Sequence, residues 1–146
     1  MVNSVRLRAY HVSDLEPLVA LWWESWHSSA SFRHPKPMAE WRSRWEKIAQ
    51  RETVMVAEAN ASIVGFAALD TQRAVLSQIF VAPRLKRTGI GRALFTWARS
   101  RCPDGLSLKT LAENSESRAF YRSLGMTEQG RSINDFNGRE EIEYAL

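Results

Sequence analysis

The sequence contains one cysteine, Cys102, among its 146 residues. A single cysteine excludes an internal disulfide, and no spacing typical of a zinc site accompanies it. Cys102 stands before Pro103 at the end of a predicted helix, and nothing in the sequence suggests a partner for its thiol. We therefore expect a structural or surface role for Cys102, no metal centre, and a reducing compartment.

Long apolar segments are also missing. No run approaches the roughly 20 residues that a membrane helix needs, and the first residues lack the apolar core of a secretory signal. With 45% hydrophobic and 25% charged residues, the composition is that of an ordinary globular protein. We expect a cytoplasmic protein without a membrane partner, folded as a single domain over residues 1–146.

Positive charge is only slightly in excess, with 20 Lys and Arg against 16 Asp and Glu. Such a balance is compatible with nucleic acid, an anionic cofactor or an acidic partner, and the distribution of charge separates them. The densest basic run lies between Arg84 and Arg92, without a DNA-recognition helix or an aromatic RNA-binding motif. We expect no nucleic-acid partner, because a cofactor with several phosphates explains this run locally.

The hydrophobic pattern changes repeatedly between strand and helix periodicity. It predicts strands at residues 5–9, 53–59, 63–70, 75–81, 106–111, 127–133 and 140–146. A capping box of Ser13 and Glu16 predicts a first helix that runs to about Ser25. Further helices are predicted around Trp41 and Trp45, after Gly89, and over residues 117–124. The alternation predicts one α/β unit.

The most informative segment is residues 79–95, where a β-branched run passes through a basic turn into a helix. The first amides of a helix lack partners and carry partial positive charge, so a turn with small glycines lets phosphate approach them. Gly89 and Gly91 are those glycines. Four basic side chains add charge around them: Arg84, Lys86, Arg87 and Arg92.

The spacing of the glycines narrows the kind of loop. A Walker loop ends in Gly-Lys-Ser/Thr, which is absent, and the dinucleotide fingerprint needs a small residue where Leu94 stands. The remaining pattern, over residues 86–91, is a basic residue, then two positions of any residue type, then Gly-x-Gly. Two glycines between a strand and a helix also occur where no ligand binds.

A second segment of the sequence, after the basic turn, also predicts a strand followed by a helix. Residues 106–111 predict a strand, and Asn114 or Ser115 caps a short helix that Gly125 ends. Tyr121 follows Asn114 by seven positions. Together the two segments resemble the GNAT superfamily of acyl-CoA-dependent N-acyltransferases. The resemblance is specific over residues 78–126 and looser over the rest of the chain.

The resemblance implies a single-domain GNAT-like α/β fold. Its central sheet is mixed and largely antiparallel, with about seven strands and about four flanking helices, and a splayed strand pair holds the cofactor. The implied cofactor is acetyl-CoA or another short acyl-CoA. Its expected contacts are Ile79, Phe80, Val81, Lys86, Arg87, Thr88, Gly89, Ile90, Gly91, Arg92 and Asn114. Residues 79–81 also fit a buried strand, and Asn114 fits a helix cap.

Amine attack on a thioester needs a proton for the leaving thiolate and support for the developing oxyanion. Tyr121 is the catalytic residue that the resemblance implies, since a phenol with a pKa of roughly 10 stays protonated at neutral pH. A Tyr packed beside Phe120 in the core is the other interpretation. A backbone N–H near Val81 is the expected oxyanion donor.

The general base is open at this point. Some branches of the family carry a Glu five positions before the Asn, where this chain has Lys109. The base is then another group, a water relay, or unnecessary because the amine is already partly neutral. Other titratable residues are weak candidates: Glu24, His27, Glu58 and Asp70.

Five of the six tryptophans lie between Trp22 and Trp45. Helical spacing predicts that Trp22, Trp26, Trp41 and Trp45 pack in the core, whereas Trp23 lies off that face. In the family, this helix pair and its loop wall the acceptor site. We expect an aromatic-lined acceptor pocket formed by Trp23, His27, Phe32 and His34. The expected function is N-acetyl transfer from acetyl-CoA to a primary amine of a small molecule or peptide, by direct attack in a ternary complex. The alternative is a catalytically weak acyl-CoA binding or sensing module, which Lys109 suggests. A monomer or a homodimer is expected.

Overall fold

The structure, a computed structural model, describes residues 4–146. Its seven strands are β1 (Arg6–Ala9), β2 (Thr53–Ala59), β3 (Ser62–Asp70), β4 (Val75–Val81), β5 (Ser107–Leu111), β6 (Thr127–Ile133) and β7 (Glu140–Ala145). Its α-helices are α1 (Leu15–Ser29), α2 (Met38–Arg51), α3 (Ile90–Arg101) and α4 (Ser115–Ser123). Within this part of the chain, no helix is long and apolar enough to cross a membrane.

The strands form one sheet in the order β1-β2-β3-β4-β5-β7-β6. All neighbours are antiparallel except β4 and β5, which are parallel and paired at one position, Val75 with Ser107. Beyond that pair β4 and β5 separate, so half of the sheet splays away from the other half. This confirms the mixed, largely antiparallel sheet and the splayed strand pair that the family resemblance implied.

Two helix pairs cover opposite faces of the sheet. Ile90 and Leu94 of α3 pack with buried residues of β2, β3 and β5 on one face. On the other face, Trp41, Trp45 and Ile48 of α2 pack with α1 and with Phe66 of β3. Trp41 and Trp45 are fully buried, as their helical spacing predicted. Burial of two indole rings fixes α2, and with it the wall of the cleft described below.

The start of the first helix differs from the sequence-based expectation. A 3₁₀ turn precedes α1, and the Asp14 carboxylate accepts from the His11 amide at 2.8 Å. Arg8 holds the same carboxylate through two hydrogen bonds, whereas Glu16 pairs with Arg42 on α2. The predicted box of Ser13 and Glu16 was therefore wrong, because Asp14 caps the turn and Glu16 is held by Arg42, which is distant in sequence. The helix also extends four residues beyond Ser25, to Ser29.

Candidate active site

A cleft of about 1450 Å³ opens where β4 and β5 separate. All seven residues of β4 and all five of β5 line it, together with the start of α3, the first part of α4 and two residues of β7. Typical small-molecule pockets have volumes of about 300–1,000 Å³. The cleft is therefore large enough for two ligands, or for one long ligand that lies along the strands.

One end of the cleft is formed by the first turn of α3. Gly89 has φ 93°, a left-handed conformation that glycine adopts without a steric penalty, and it turns the chain into the helix. The Ala93 amide donates to the Gly89 carbonyl at 3.0 Å. The amides of Ile90, Gly91 and Arg92 precede that bond and have no intrahelical acceptor, so they are donors for an anion.

The glycines leave room beside those amides. A Cβ on Gly89 would meet no heavy atom within 4 Å, and one on Gly91 would lie 3.5 Å from Cζ of Phe120. Both glycines line the cleft. Ile90 is buried at 3% exposure against the sheet, which fixes the helix start. The result is a rigid, open anion site that larger side chains would fill.

The cations of the turn differ in where they lie. Lys86, Arg87 and Arg92 line the cleft, whereas Arg84 and Thr88 do not. The Thr88 hydroxyl instead donates to the Leu85 carbonyl at 2.6 Å and so closes the turn. We call the first turn of α3, with Lys86 and Arg87 before it, the anion cradle.

An acidic residue that the sequence analysis missed reaches the anion cradle. Glu116, in the first turn of α4, pairs with Lys86 at 3.5 Å and with Arg87 at 3.2 Å. Both cations therefore already carry an internal counter-ion. Only the folded arrangement of α3 beside α4 shows this pairing, because the residues are about 30 positions apart.

Residues from both predicted motifs line the same cleft. Ile79, Phe80 and Val81 line it from β4, and the Val81 carbonyl accepts from the Ser25 hydroxyl at 2.5 Å. Asn114 lines it from the far end of β5. Its Oδ1 accepts from the Ser117 amide at 3.1 Å, so Asn114 is a helix cap and a cleft residue at once.

Tyr121 projects from α4 into the same cleft. It is 6% exposed and packs near Phe120 and Tyr144. Burial in this apolar environment raises the pKa of the Tyr121 phenol, because the charged phenolate loses its water. The hydroxyl therefore stays protonated at neutral pH and is available as a proton donor.

The other end of the cleft is lined by polar residues of β5 and β7. Lys109 lies directly opposite Glu143 in the antiparallel register, and both residues line the cleft. Glu141, two residues along β7, lines it as well and accepts from the side-chain amide of Asn134 at 3.1 Å. The sequence analysis missed both glutamates, since it did not establish that β7 neighbours β5.

The aromatic residues that line the cleft differ from those that the sequence predicted. Of Trp23, His27, Phe32 and His34, only His34 lines the cleft. The others pack outside it: Trp23 and His27 pack against each other and Trp41, and Phe32 lies under the Arg139 guanidinium. The aromatic residues that do line this end are Trp22, Trp26, Trp41 and Phe136. The first three were predicted as core residues, and they form the core and the wall together.

His34 is buried at 3% exposure, and burial lowers its pKa from the ordinary 6.5 to about 4. Its Nδ1 accepts from the Lys36 amide at 3.0 Å, so the proton of the neutral ring lies on Nε2. That Nε2 has no hydrogen-bond partner among residues 4–146. His34 is therefore a neutral, structural member of the wall at neutral pH.

The four residues that the sequence suggested as the general base lie outside the cleft. Glu24, His27, Glu58 and Asp70 are all absent from the lining of the cleft. Glu58 pairs with Arg6 and Arg8, and Asp70 accepts from the Gln72 and Arg73 amides. Within the described chain, no group of three or more His, Cys, Asp or Glu side chains is placed to hold a metal ion.

Sequence comparison gives a consistent picture. Residues 25–145 match the family described as Acetyltransferase (GNAT) domain. The chain is 25% identical over 143 residues to an uncharacterized N-acetyltransferase, MJ1207 of Methanocaldococcus jannaschii, with 88% of this chain and 63% of that protein covered. It thus spans less than two thirds of that relative. It is 30% identical over 144 residues to the peptidyl-lysine N-acetyltransferase YjaB of Escherichia coli, with 95% and 92% covered.

Solved structures with the same fold include a free and a ligand-bound protein. The solution structure of apo-form YjaB from Escherichia coli has a TM-score of 0.77 at 25% identity, covering 97% of both chains. A crystal structure of the PaiA N-acetyltransferase from Thermoplasma acidophilum, in complex with coenzyme A, has a TM-score of 0.75 at 20% identity. It covers 97% of this chain and 98% of that one.

Proposed function

Because the chain belongs to the GNAT family of acetyltransferases, we propose that it transfers the acetyl group of acetyl-CoA to a primary amine. The amine attacks directly, with both substrates bound in the cleft. The observation that carries the proposal is the partial pairing of β4 and β5, which opens a cleft that ends at the anion cradle. The coenzyme A in the related PaiA structure supports this choice of cofactor.

The residues present fit a long ligand with phosphates at one end. The anion cradle offers the amides of Ile90, Gly91 and Arg92 and the cations of Lys86 and Arg87 to a pyrophosphate. Residues 79–81 offer backbone groups of β4, which β5 does not pair, to the pantetheine amides. Asn114 adds a side-chain amide from the end of β5. When bound, acetyl-CoA supplies the acetyl thioester.

Tyr121 is the proposed proton donor to the departing thiolate. Its phenol lines the cleft, and its raised pKa keeps the proton in place until a stronger base forms nearby. A general acid of this kind contributes typically 10²- to 10⁴-fold to the rate. The good leaving group of a thioester brings that contribution toward the lower end.

We propose a lysine side chain or a similar alkyl amine as the acceptor. YjaB, which covers nearly the whole chain, is named a peptidyl-lysine N-acetyltransferase. The polar end of the cleft combines Trp22, Trp26 and Phe136 with Glu141 and Glu143. Aromatic faces and carboxylates suit an alkyl chain that ends in an ammonium group.

A second function is favoured by one observation. Lys109 occupies the position on β5 where some relatives carry a carboxylate, and it lines the cleft. A protein that binds acyl-CoA without efficient catalysis would have this feature. The two functions differ in turnover and share cofactor binding.

The test is a thiol-release assay with acetyl-CoA and a panel of amines. The panel contains a lysine peptide, an N-terminal peptide amine, polyamines, amino acids and aminoglycosides. Calorimetry with acetyl-CoA runs in parallel. Turnover with an alkyl amine supports the transferase, binding without turnover supports the binding module, and the absence of both contradicts the proposed function.

A further inference from the structure

Transfer to an alkyl amine requires a group that takes a proton. An alkyl ammonium is the dominant form at neutral pH, and its nitrogen has no free electron pair until the proton leaves. The following inference rests on the proposed function and asks which side chain of the cleft accepts that proton.

Three carboxylates line the cleft, and two of them are engaged. Glu116 pairs with Lys86 and Arg87 at the anion cradle. Glu141 accepts from the side-chain amide of Asn134. His34 is also excluded, because its Nδ1 already accepts from the Lys36 amide and Nε2 carries the proton. Glu143 is left, and it makes no ion pair or side-chain hydrogen bond with any of residues 4–146.

The register places Glu143 at the point where the two halves of the sheet separate. Val75 and Ser107 are the one paired position of β4 and β5, and Lys109 lies two residues further along β5. Glu143 is opposite Lys109, so their Cβ atoms are about 4.5–5.5 Å apart on the same face. Glu143 is half-buried, which limits its hydration.

We propose that Glu143 is the catalytic base that accepts the proton of the acceptor ammonium, directly or through one water. The carboxylate missing from β5 is thus supplied by the neighbouring strand. Lys109 lies directly opposite Glu143 on β5. Its positive charge disfavours the charged form of an acceptor ammonium beside it, and so promotes loss of the proton from the acceptor.

The ammonium gives one proton to Glu143, and the freed electron pair forms the C–N bond as the C–S bond breaks. Tyr121 donates its proton to the sulfur. The nitrogen loses its second proton to solvent, from which Tyr121 is reprotonated. Glu143 then releases its proton to solvent, so one proton is released for each acetyl group transferred.

The test compares two acceptors of similar size that differ in protonation. Methylamine is an ammonium ion at neutral pH, whereas hydroxylamine is mostly unprotonated. Thiol release from acetyl-CoA is measured with each acceptor for the wild type and for E143Q, and the uncatalysed rate is subtracted. The control is E140Q, an exposed residue of the same strand that pairs with Arg131 outside the cleft.

At pH 7, E143Q is expected to lose about 100-fold in kcat/KM with methylamine and less than about threefold with hydroxylamine. The methylamine loss shrinks as pH rises, because the free amine becomes abundant. E140Q stays near wild type. Retained hydroxylamine activity shows that E143Q is folded, and Glu143→Asp, which keeps a carboxylate, recovers part of the methylamine activity.

Three results overturn the proposal alone. The first is full methylamine activity in E143Q, and the second is an equal loss with both acceptors at unchanged acetyl-CoA affinity. The third is a selective loss of methylamine activity in Glu52→Gln instead of E143Q, since Glu52 contacts the cleft residue Ser77 and burial raises the pKa of Glu52. A wild-type protein that neither binds acetyl-CoA nor releases thiol overturns the proposed function as well.

Discussion

The two ends of the cleft are built in different ways. The anion cradle consists mainly of backbone amides and neighbouring cations from one continuous segment of sequence. The polar end consists of side chains from α1, the loop between α1 and α2, α2, β5, β7 and the turn before β7. A site made from local backbone is visible in a short motif, whereas a site made from side chains of six segments exists only after folding.

The comparison predicts that the anion cradle depends on space more than on charge. Gly91→Trp places an indole where phosphate approaches the amides, so acetyl-CoA affinity falls by at least about 100-fold, given that hydrogen bonds to charged groups contribute about 1.5–3 kcal/mol each. Calorimetry measures this loss. Thr96→Trp, at an exposed position of the same helix beyond its first turn and outside the cleft, is the matched control. Unchanged affinity in a folded Gly91→Trp variant argues against the anion cradle.

Loss of the Tyr121 hydroxyl should lower turnover without changing acetyl-CoA affinity. Tyr121→Phe removes one oxygen and keeps the ring, so kcat falls by about 10- to 100-fold while acetyl-CoA affinity stays within about twofold. Steady-state thiol release and calorimetry separate the two quantities. If kcat is unchanged when chemistry limits the rate, Tyr121 is a packing residue.

At the polar end, the burial of His34 should make the free energy of unfolding depend on pH. The pKa of His34 is about 4 in the folded state and about 6.5 in the unfolded chain, so the unfolded state binds more protons between these values. The stabilisation is complete above pH 6.5 and is lost as pH falls toward 4, by about 2–3 kcal/mol. Denaturant titrations at several pH values measure the free energy of unfolding.

His34→Asn keeps an oxygen that accepts from the Lys36 amide and removes the titrating ring. Its unfolding free energy should therefore fall less between pH 6.5 and pH 4 than that of the wild type. His11→Asn, at an exposed position, is the control. Parallel pH profiles for the wild type and His34→Asn would contradict the burial argument.

The smallest effects are expected from the charges around the anion cradle. Glu116→Gln frees Lys86 and Arg87 from their counter-ion, and acetyl-CoA affinity should rise by about two- to fivefold, as exposed ion pairs contribute about 0.2–1 kcal/mol. The gain should shrink with added salt. Arg84→Ala, outside the cleft, should change affinity by less than about twofold. A loss of affinity in Glu116→Gln would assign that carboxylate a role in binding.

Local signals explain what could be predicted from the sequence. The bounds of β2, β4 and β6 agree with the structure, because the turn residues that flank these strands are local signals. The family assigned from the motifs at residues 78–126 is confirmed by the match over residues 25–145. The roles of Asn114 and Tyr121 stay predictions, although both side chains line the cleft.

Non-local pairing explains what could not be predicted. Strand β7 inserts between β5 and β6, and only this order brings Glu143 opposite Lys109. Helical spacing placed Trp22 and Trp26 in the core correctly, but periodicity gives no indication that a core face also borders a cleft. Trp23, off that face, was therefore assigned to the wall in their place.

The central claim is that acetyl-CoA lies between β4 and β5 with its phosphates at the anion cradle. Backbone amide hydrogen exchange, measured by NMR with and without saturating coenzyme A, tests it residue by residue. We predict slower exchange at residues 79–81 and at Ile90, Gly91 and Arg92, with little change in β1. Unchanged exchange at both segments, or protection confined to other parts of the sheet, would contradict it.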